Sequence, residues 1–209
     1  ERHGGLSPVA YFDSLGLFDV PVTAAHCVWV DDADLDILAA HGVFVANNPA
    51  SNMKLGSGFA PIPEMLRRNI PVCLGSDGMA SNNSHNLFRD MYLQALIYKG
   101  ADLDPTAVTP QQALASATRV GALSQGRDDC GVIAEGMRAD LCVLDTMGPS
   151  WCPATDVVYN IVYAGDGADV VLTLCDGEVI YRDGAWPTID VERAKAECAA
   201  RAARIIAEL

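Results

Sequence analysis

Three times in its first half the chain runs a short apolar segment into a polar loop and then into an amphipathic segment. This repeated plan restricts the fold more than any other feature. The apolar segments are residues 20–27, 43–46 and 70–74. The first leads to a helix over residues 32–40 that stops at Gly42. The second leads through a polar loop, residues 47–58, to a helix over 61–68. The third leads through Gly75-Ser76-Asp77-Gly78 and a polar stretch ending at Asn86 to a long helix over 87–99. Strands alternating with helices predict right-handed βαβ units and a parallel sheet. A short helix over 7–15 precedes the first strand, and another over 110–118 has Thr109 as its N-cap.

The pattern changes near residue 130. Residues 141–144 and 170–175 read as strands with β-branched content, and Asp176-Gly177 joins the second of them to 178–181. Asp-Gly between two such runs is a strong hairpin signal, so this portion reads as a small antiparallel domain. The tail, residues 190–209, is Ala-rich, with Val191, Ala194, Cys198, Ile205 and Leu209 near one face, and reads as a docking helix. The expected domains are 1–128, 129–187 and 188–209. Three parallel strands cannot close a barrel, and a whole (β/α)₈ barrel needs ~250 residues where the entire chain has 209. The βα part is therefore either a small open sheet or the last part of a larger barrel.

Composition narrows the partners. Hydrophobic residues make up 50% and charged residues 20%, which excludes a disordered chain. Acidic residues outnumber basic ones 27 to 14, for a net charge of −13, and no Lys/Arg cluster occurs. Nucleic acid and anionic membrane are poor partners for such a chain; a small molecule, a metal or another copy of the chain fits better. No apolar run approaches the ~20 residues of a membrane-spanning helix, and no secretory leader is expected. Seven cysteines are scattered singly without a CxxC pair. They read as small buried hydrophobes in a reducing cytoplasm.

In parallel βα folds the active face lies at the carboxyl ends of the strands. Those ends carry His26, the Asn47-Asn48-Pro49 loop and Asp77. Asp77 reads either as a carboxylate that binds a divalent cation and exchanges protons with its water, or as a turn residue before Gly78. His26 reads as a ligand or an oxyanion partner, or as a His satisfied by backbone. Asn48, Ser51 and Ser81 could line a pocket or serve only turn chemistry, and Asn83 or Ser84 could cap the helix at Leu87. His3, His41 and His85 read as surface residues. No HxH or HxxxH pair is present, so the metal chemistry is half represented.

The segments Ala25-His26-Cys27, Asn48-Pro49-Ala50-Ser51-Asn52-Met53-Lys54-Leu55, Leu74-Gly75-Ser76-Asp77-Gly78 and Ser81-Asn82-Asn83, in that order, resemble the amidohydrolase superfamily. The likeness is greatest to the 5-methylthioadenosine/S-adenosylhomocysteine deaminases and their chlorohydrolase-like relatives. Gly136-Met137-Arg138-Ala139-Asp140-Leu141 and Asp176-Gly177-Glu178-Val179 resemble that superfamily's small β domain. The resemblance implies the C-terminal part of a metal-dependent (β/α)₈ barrel, about strands six to eight, plus part of a small β-sandwich domain. It implies one Zn²⁺ or Fe²⁺, with Asp77 as the strand-eight ligand and His26 as the strand-six His that touches the metal-bound water and the tetrahedral adduct. The HxH pair, the strand-five His and a proton-shuttling Glu would precede Glu1. Asn47 departs from the family, which usually has His there, and an effect on loop packing alone is expected. The implied reaction is hydrolytic deamination of an adenosine-like compound. Guanine deamination, triazine dechlorination and a non-catalytic binding or assembly module are the competing readings, and a homo-oligomer is compatible with each.

Overall fold

The computed structural model describes residues 2–208. The chain divides into two compact units, one running up to Met137 and including Gly148–Gly167, the other formed by Arg138–Met147 and the residues from Ala168 onward.

The first unit opens with α1 (Pro8–Ser14), β1 (Thr23–Ala25), α2 (Asp32–Ala40), β2 (Phe44–Asn47), α3 (Pro49–Lys54) and α4 (Ile62–Arg67). It continues through β3 (Val72–Leu74), α5 (Met79–Asn82), α6 (Leu87–Asp102), α7 (Pro110–Ala117) and α8 (Arg119–Ser124). The strands form one parallel sheet in the order β1-β2-β3, as the alternation predicts. Val45 faces Ala24 on one side and Val72 on the other. The core lies against this sheet. Leu35 and Leu38 of α2, Ile62 and Met65 of α4, and Tyr98 of α6 close over Val43, Val45, Ile70 and Val72. A second cluster joins Met91 and Ala95 of α6 to Ala113 of α7.

Local chemistry explains most of the helix ends. Asp31 caps α2 in a reciprocal capping box with Asp34, and Ser7 caps α1 while its hydroxyl also donates to Asp34. Thr109 and Gln112 form the same box at α7. Arg68 ties two helices together through Asp32 and Asp36 of α2 and Glu64 of α4.

The structure corrects several expectations. β1 spans only Thr23–Ala25, because His26 and Cys27 turn into the left-handed region at φ 67° and 46°. The loop expected after the second strand contains α3, and the stretch after the third contains α5. Asn and Ser are weak helix formers, and the bonds that order these two short helices come from elsewhere in the chain. The cap at Leu87 is Asn86, not Asn83 or Ser84; Ser84 instead accepts the Asn86 N–H.

The unit ends with α9 (Val157–Tyr163), whose Val162 joins the second cluster. In the second unit β4 (Leu141–Leu144), β5 (Val170–Cys175) and β6 (Glu178–Arg182) form an antiparallel sheet in the order β4-β5-β6. Asp176 and Gly177, both at positive φ (51° and 83°), make the tight turn between β5 and β6. The tail forms α10 (Val191–Ala207), which Asp190 caps. Its described residues are exposed apart from a half-buried Val191; Leu209 lies outside the described residues. No helix among the described residues is long and apolar enough to cross a membrane.

All seven cysteines are free thiols. Cys73 and Cys130 are buried and Cys27 is half-buried, whereas Cys142, Cys152, Cys175 and Cys198 are exposed, contrary to the core reading. Outward-facing positions of β4, the end of β5 and α10 account for three of these four.

Among the described residues β1 and β3 each pair on one side only. Unpaired strand edges template association. The 209-residue chain expressed alone is therefore expected to bind 8-anilinonaphthalene-1-sulfonate strongly and to elute above its monomer mass. A monodisperse, cooperatively melting monomer in sedimentation and calorimetry would show that these edges are protected.

Candidate functional site

The parallel sheet brings the ends of β1, β2 and β3 to one side. The ladder extends past the strands there, since the His26 N–H donates to the Ala46 carbonyl and the Gly75 N–H to the Asn47 carbonyl, both at 2.9 Å. His26 then leaves β1 at positive φ, and Asp77 leaves the turn after β3 at φ 57°. His and Asp tolerate this region better than most residues. His26 Nε2 and Asp77 Oδ2 lie 3.9 Å apart, with the two side chains 40% and 32% exposed. The two residues marked in the sequence as carriers of chemistry therefore share one partly open site.

The residues around them are placed by α3 and α5. Ser51 Oγ donates to Asp77 Oδ2 at 2.6 Å, and Ser81 Oγ donates to the same oxygen at 2.8 Å. These two hydroxyls, with the Gly78 N–H and then the nearby His26, hold the Asp77 carboxyl down to about 2. His26 Nδ1 lies 2.9 Å from Asn52 Oδ1, which leaves Nε2 turned toward Asp77. Asn48 sits beside the same ring at 3.4 Å, and its Nδ2 donates to the Ala46 carbonyl at 3.0 Å. Asn48, Ser51 and Asn52 are all buried. Asn48 thus lies beside His26, and Ser51 and Ser81 bond Asp77.

The remaining histidines lie elsewhere or at the rim. His41 pairs with Asp13 at 2.9 Å, and His3 stacks on Tyr11. His85 is exposed, with Nδ1 2.9 Å from Ser76 Oγ. Asn47 faces away from the site. It is fully buried, donates to Gln94 Oε1 at 3.0 Å, and accepts the Tyr98 hydroxyl at 3.3 Å. Asn47 therefore packs under the sheet against α6, not in the loop.

Sequence reasoning reads Asn52 and Asn82 only as loop residues that line a pocket or serve turn chemistry, and gives no separate role to Gly75 or Asp90. Gly75 matters because Asn48 lies against it: a Cβ there would meet Asn48 Oδ1 at 2.3 Å. Asn82 Nδ2 donates to the Ser76 carbonyl at 2.8 Å and to Asp90. One signal for Asp90 was present in the sequence. It stands four residues before Gln94 and eight before Tyr98, and all three are buried on one helix face.

A structural zinc site takes four protein donors and a catalytic one three. Among the described residues no group of three or more His, Cys, Asp or Glu side chains gathers. Asp77 and His26 do not make a metal centre by themselves.

Residues 1–180 match the amidohydrolase family. The chain is 44% identical to a 5-methylthioadenosine/S-adenosylhomocysteine deaminase of Desulforamulus reducens, over 98% of this chain and 48% of that protein. It is 40% identical to a 5′-deoxyadenosine deaminase of Methanosarcina mazei, over 100% of this chain and 48% of that protein. An adenosine deaminase from Xanthomonas campestris with bound zinc superposes with a TM-score of 0.93 at 30% identity, covering 99% of this chain and 47% of that one. An atrazine chlorohydrolase from Arthrobacter aurescens complexed with zinc superposes with a TM-score of 0.87 at 30% identity, covering 94% and 44%. The chain spans about half the length of the curated relatives it matches.

Two outcomes follow from the local geometry. Gly75→Ala should displace Asn48 from its contact and cost roughly 1–3 kcal/mol, read as a lower denaturant midpoint. Unchanged stability would mean that Asn48 moves aside freely. Burial, and then the negative charge of Asp34, push the Cys27 thiol up to about 11. It should stay protonated and resist iodoacetamide at pH 8, becoming reactive only as the pH approaches that value, while Cys152, Cys175 and Cys198 are alkylated. Mass mapping that finds Cys27 modified as fast as these three would contradict this.

Proposed function

The chain belongs to the amidohydrolase family, and from that premise we propose that it carries the strand-six to strand-eight part of a (β/α)₈ hydrolase barrel and part of a small β-sandwich domain. The proposed activity is hydrolytic deamination of 5-methylthioadenosine, S-adenosylhomocysteine or a related adenosine-like compound, with release of ammonia. The observation that carries this reading is the meeting of His26 and Asp77 at 3.9 Å beyond the ends of parallel strands. The names of the relatives at 44% and 40% identity support the substrate class.

In the net reaction water adds to C6 of the adenine ring, the bond from C6 to the exocyclic nitrogen breaks, and ammonia leaves. The roles proposed for this chain's residues follow from their surroundings. Asp77 is oriented by the Ser51 and Ser81 hydroxyls, and its carboxylate is the group proposed to accept the proton that the attacking water gives up. His26 presents Nε2 on the same side and stabilises the charge that develops on the adduct. Asn48, Ser51 and Ser81 shape the floor on which the substrate is held. The divalent cation, Zn²⁺ or Fe²⁺, needs donors beyond the described residues, and Asp77 is the ligand that we assign to this chain; zinc in two solved relatives supports that assignment.

The superposition on an atrazine chlorohydrolase keeps a sibling reading in play, in which the same residues serve a different leaving group. The test uses the protein expressed from its complete reading frame, with purine absorbance and released ammonia as readouts. Turnover of 5′-methylthioadenosine is expected. Asp77→Ala should abolish it and weaken zinc retention in metal analysis. His26→Ala should lower kcat on the order of 10²–10³-fold, as for loss of one oxyanion partner, with zinc retained. Turnover of guanine or a chlorotriazine instead would favour a sibling, and turnover of none a binding or assembly role. Loss of zinc in His26→Ala with Asp77→Ala still loaded would reverse the two roles.

A further inference from the structure

We propose that Asp90 is a positioning residue of this site, its buried carboxylate holding at one point the two turns that present Ser51 and Asp77 to each other. The inference rests on the role given to Asp77 above.

Asp90 lies in the first part of α6 and is 1% exposed. Its Oδ1 accepts the Ala50 N–H at 3.4 Å. Ala50 immediately precedes Ser51, whose hydroxyl donates to Asp77 at 2.6 Å. On the other side Asn82 Nδ2 donates to Asp90 Oδ1 and Oδ2 at 3.3 and 3.0 Å, and to the Ser76 carbonyl at 2.8 Å. Ser76 immediately precedes Asp77. One carboxylate thus grips, directly or through one amide, the peptide units next to both partners of the Ser51–Asp77 bond.

The helices involved need that grip. α3 and α5 have six and four residues, too few to be stable on their own, and neither has a side-chain cap of its own. Asp90 supplies the missing acceptor to α3 from a different helix. Burial pushes the Asp90 carboxyl up, so an acid at this place is held against its own desolvation. Two donors converge on it from two turns. Its position near the N-terminus of the 16-residue α6 favours the negative charge.

The test compares Asp90→Ala, Asp90→Asn, Ser51→Ala and the double variant Asp90→Ala/Ser51→Ala in the protein from its complete reading frame. Asp90→Ala should lower kcat about 10–100-fold, the usual effect of losing a partner one shell out from the chemistry, with KM unchanged. Asp90→Asn, which keeps one acceptor oxygen, should recover part of that loss. The double variant should be no worse than the poorer single one, since both act on the same bond. Tyr98→Phe removes a different buried hydrogen bond from the same face of α6; it should lower stability and leave kcat alone. Independently of turnover, the Asp77 carboxyl carbon shift at fixed neutral pH should move in the same direction in Asp90→Ala as in Ser51→Ala. That shift decides the role of Asp90 even if the protein turns over no purine, so failure of the functional reading is seen separately. Should Asp90→Ala not fold, Asp90→Asn carries the same comparison with smaller changes. Additive losses in the double variant, a Tyr98→Phe loss of kcat equal to that of Asp90→Ala, or an Asp77 carbon that moves in Ser51→Ala but not in the Asp90 variants would overturn the proposal.

Discussion

Parallel pairing of three very short strands is the constraint from which the rest of the first unit follows. β1 and β3 have three residues each and β2 has four, so the sheet makes few hydrogen bonds of its own. Parallel neighbours cannot be joined by a tight turn and require a crossover that covers the sheet. α2 and α4 are those crossovers, and their Leu35, Leu38, Ile62 and Met65 bury the strand residues Val45 and Val72. The apolar seam therefore holds the sheet, and the direction of the strands fixes where function can sit. All three strands end on one side, and His26, Asn48 and Asp77 are the residues that follow them there.

Delivery has a conformational cost. His26, Cys27 and Asp77 all have positive φ, a state that costs a non-glycine residue on the order of 1–3 kcal/mol and persists only where the surroundings enforce it. The enforcing contacts are visible. The His26 N–H is tied to the Ala46 carbonyl, its ring to Asn52, and the Asp77 carboxylate to Ser51 and Ser81. The same two hydroxyls that orient the carboxylate also lower its pKa, so the two effects have one cause.

What could be read from the sequence tracks where the determining forces act. α2 is legible to the residue, because Asp31 caps it locally and Gly42 follows its end. The hairpin at Asp176-Gly177 is legible for the same reason, since its turn demands two positive φ values and names the residues that supply them. α3 and α5 were not legible. Their Asn- and Ser-rich sequences argue for loops, and the acceptor that orders α3 belongs to Asp90, forty residues away. β1 was overextended because the apolar run continues through Cys27, while the chain direction reverses at His26 for reasons that lie in β2 and α3. The convergence of His26 with Asp77 could be expected from strand order alone. The buried amides that aim them could not, because Asn48 and Asn52 have the composition of a turn.

α6 buries polar side chains as well as apolar ones. Its buried face carries Asp90, Gln94 and Tyr98 at successive four-residue intervals, an arrangement that hydrophobic burial by itself would disfavour. Two of them reach β2: Gln94 accepts the Asn47 amide and Tyr98 donates to its carbonyl oxygen, which secures the end of the central strand from below. Asp90 reaches past the strand ends to α3 and to Asn82. Asn47 and Asn48 are adjacent in a strand end, so their side chains point to opposite faces. α6 therefore fixes the strand through the first and supports the helix that follows the second. Within this stripe Asp90 is directed to the residues beside Asp77, while Gln94 and Tyr98 serve the strand beneath, and all three are constrained by hydrogen-bond partners that neither helix propensity nor apolar periodicity records.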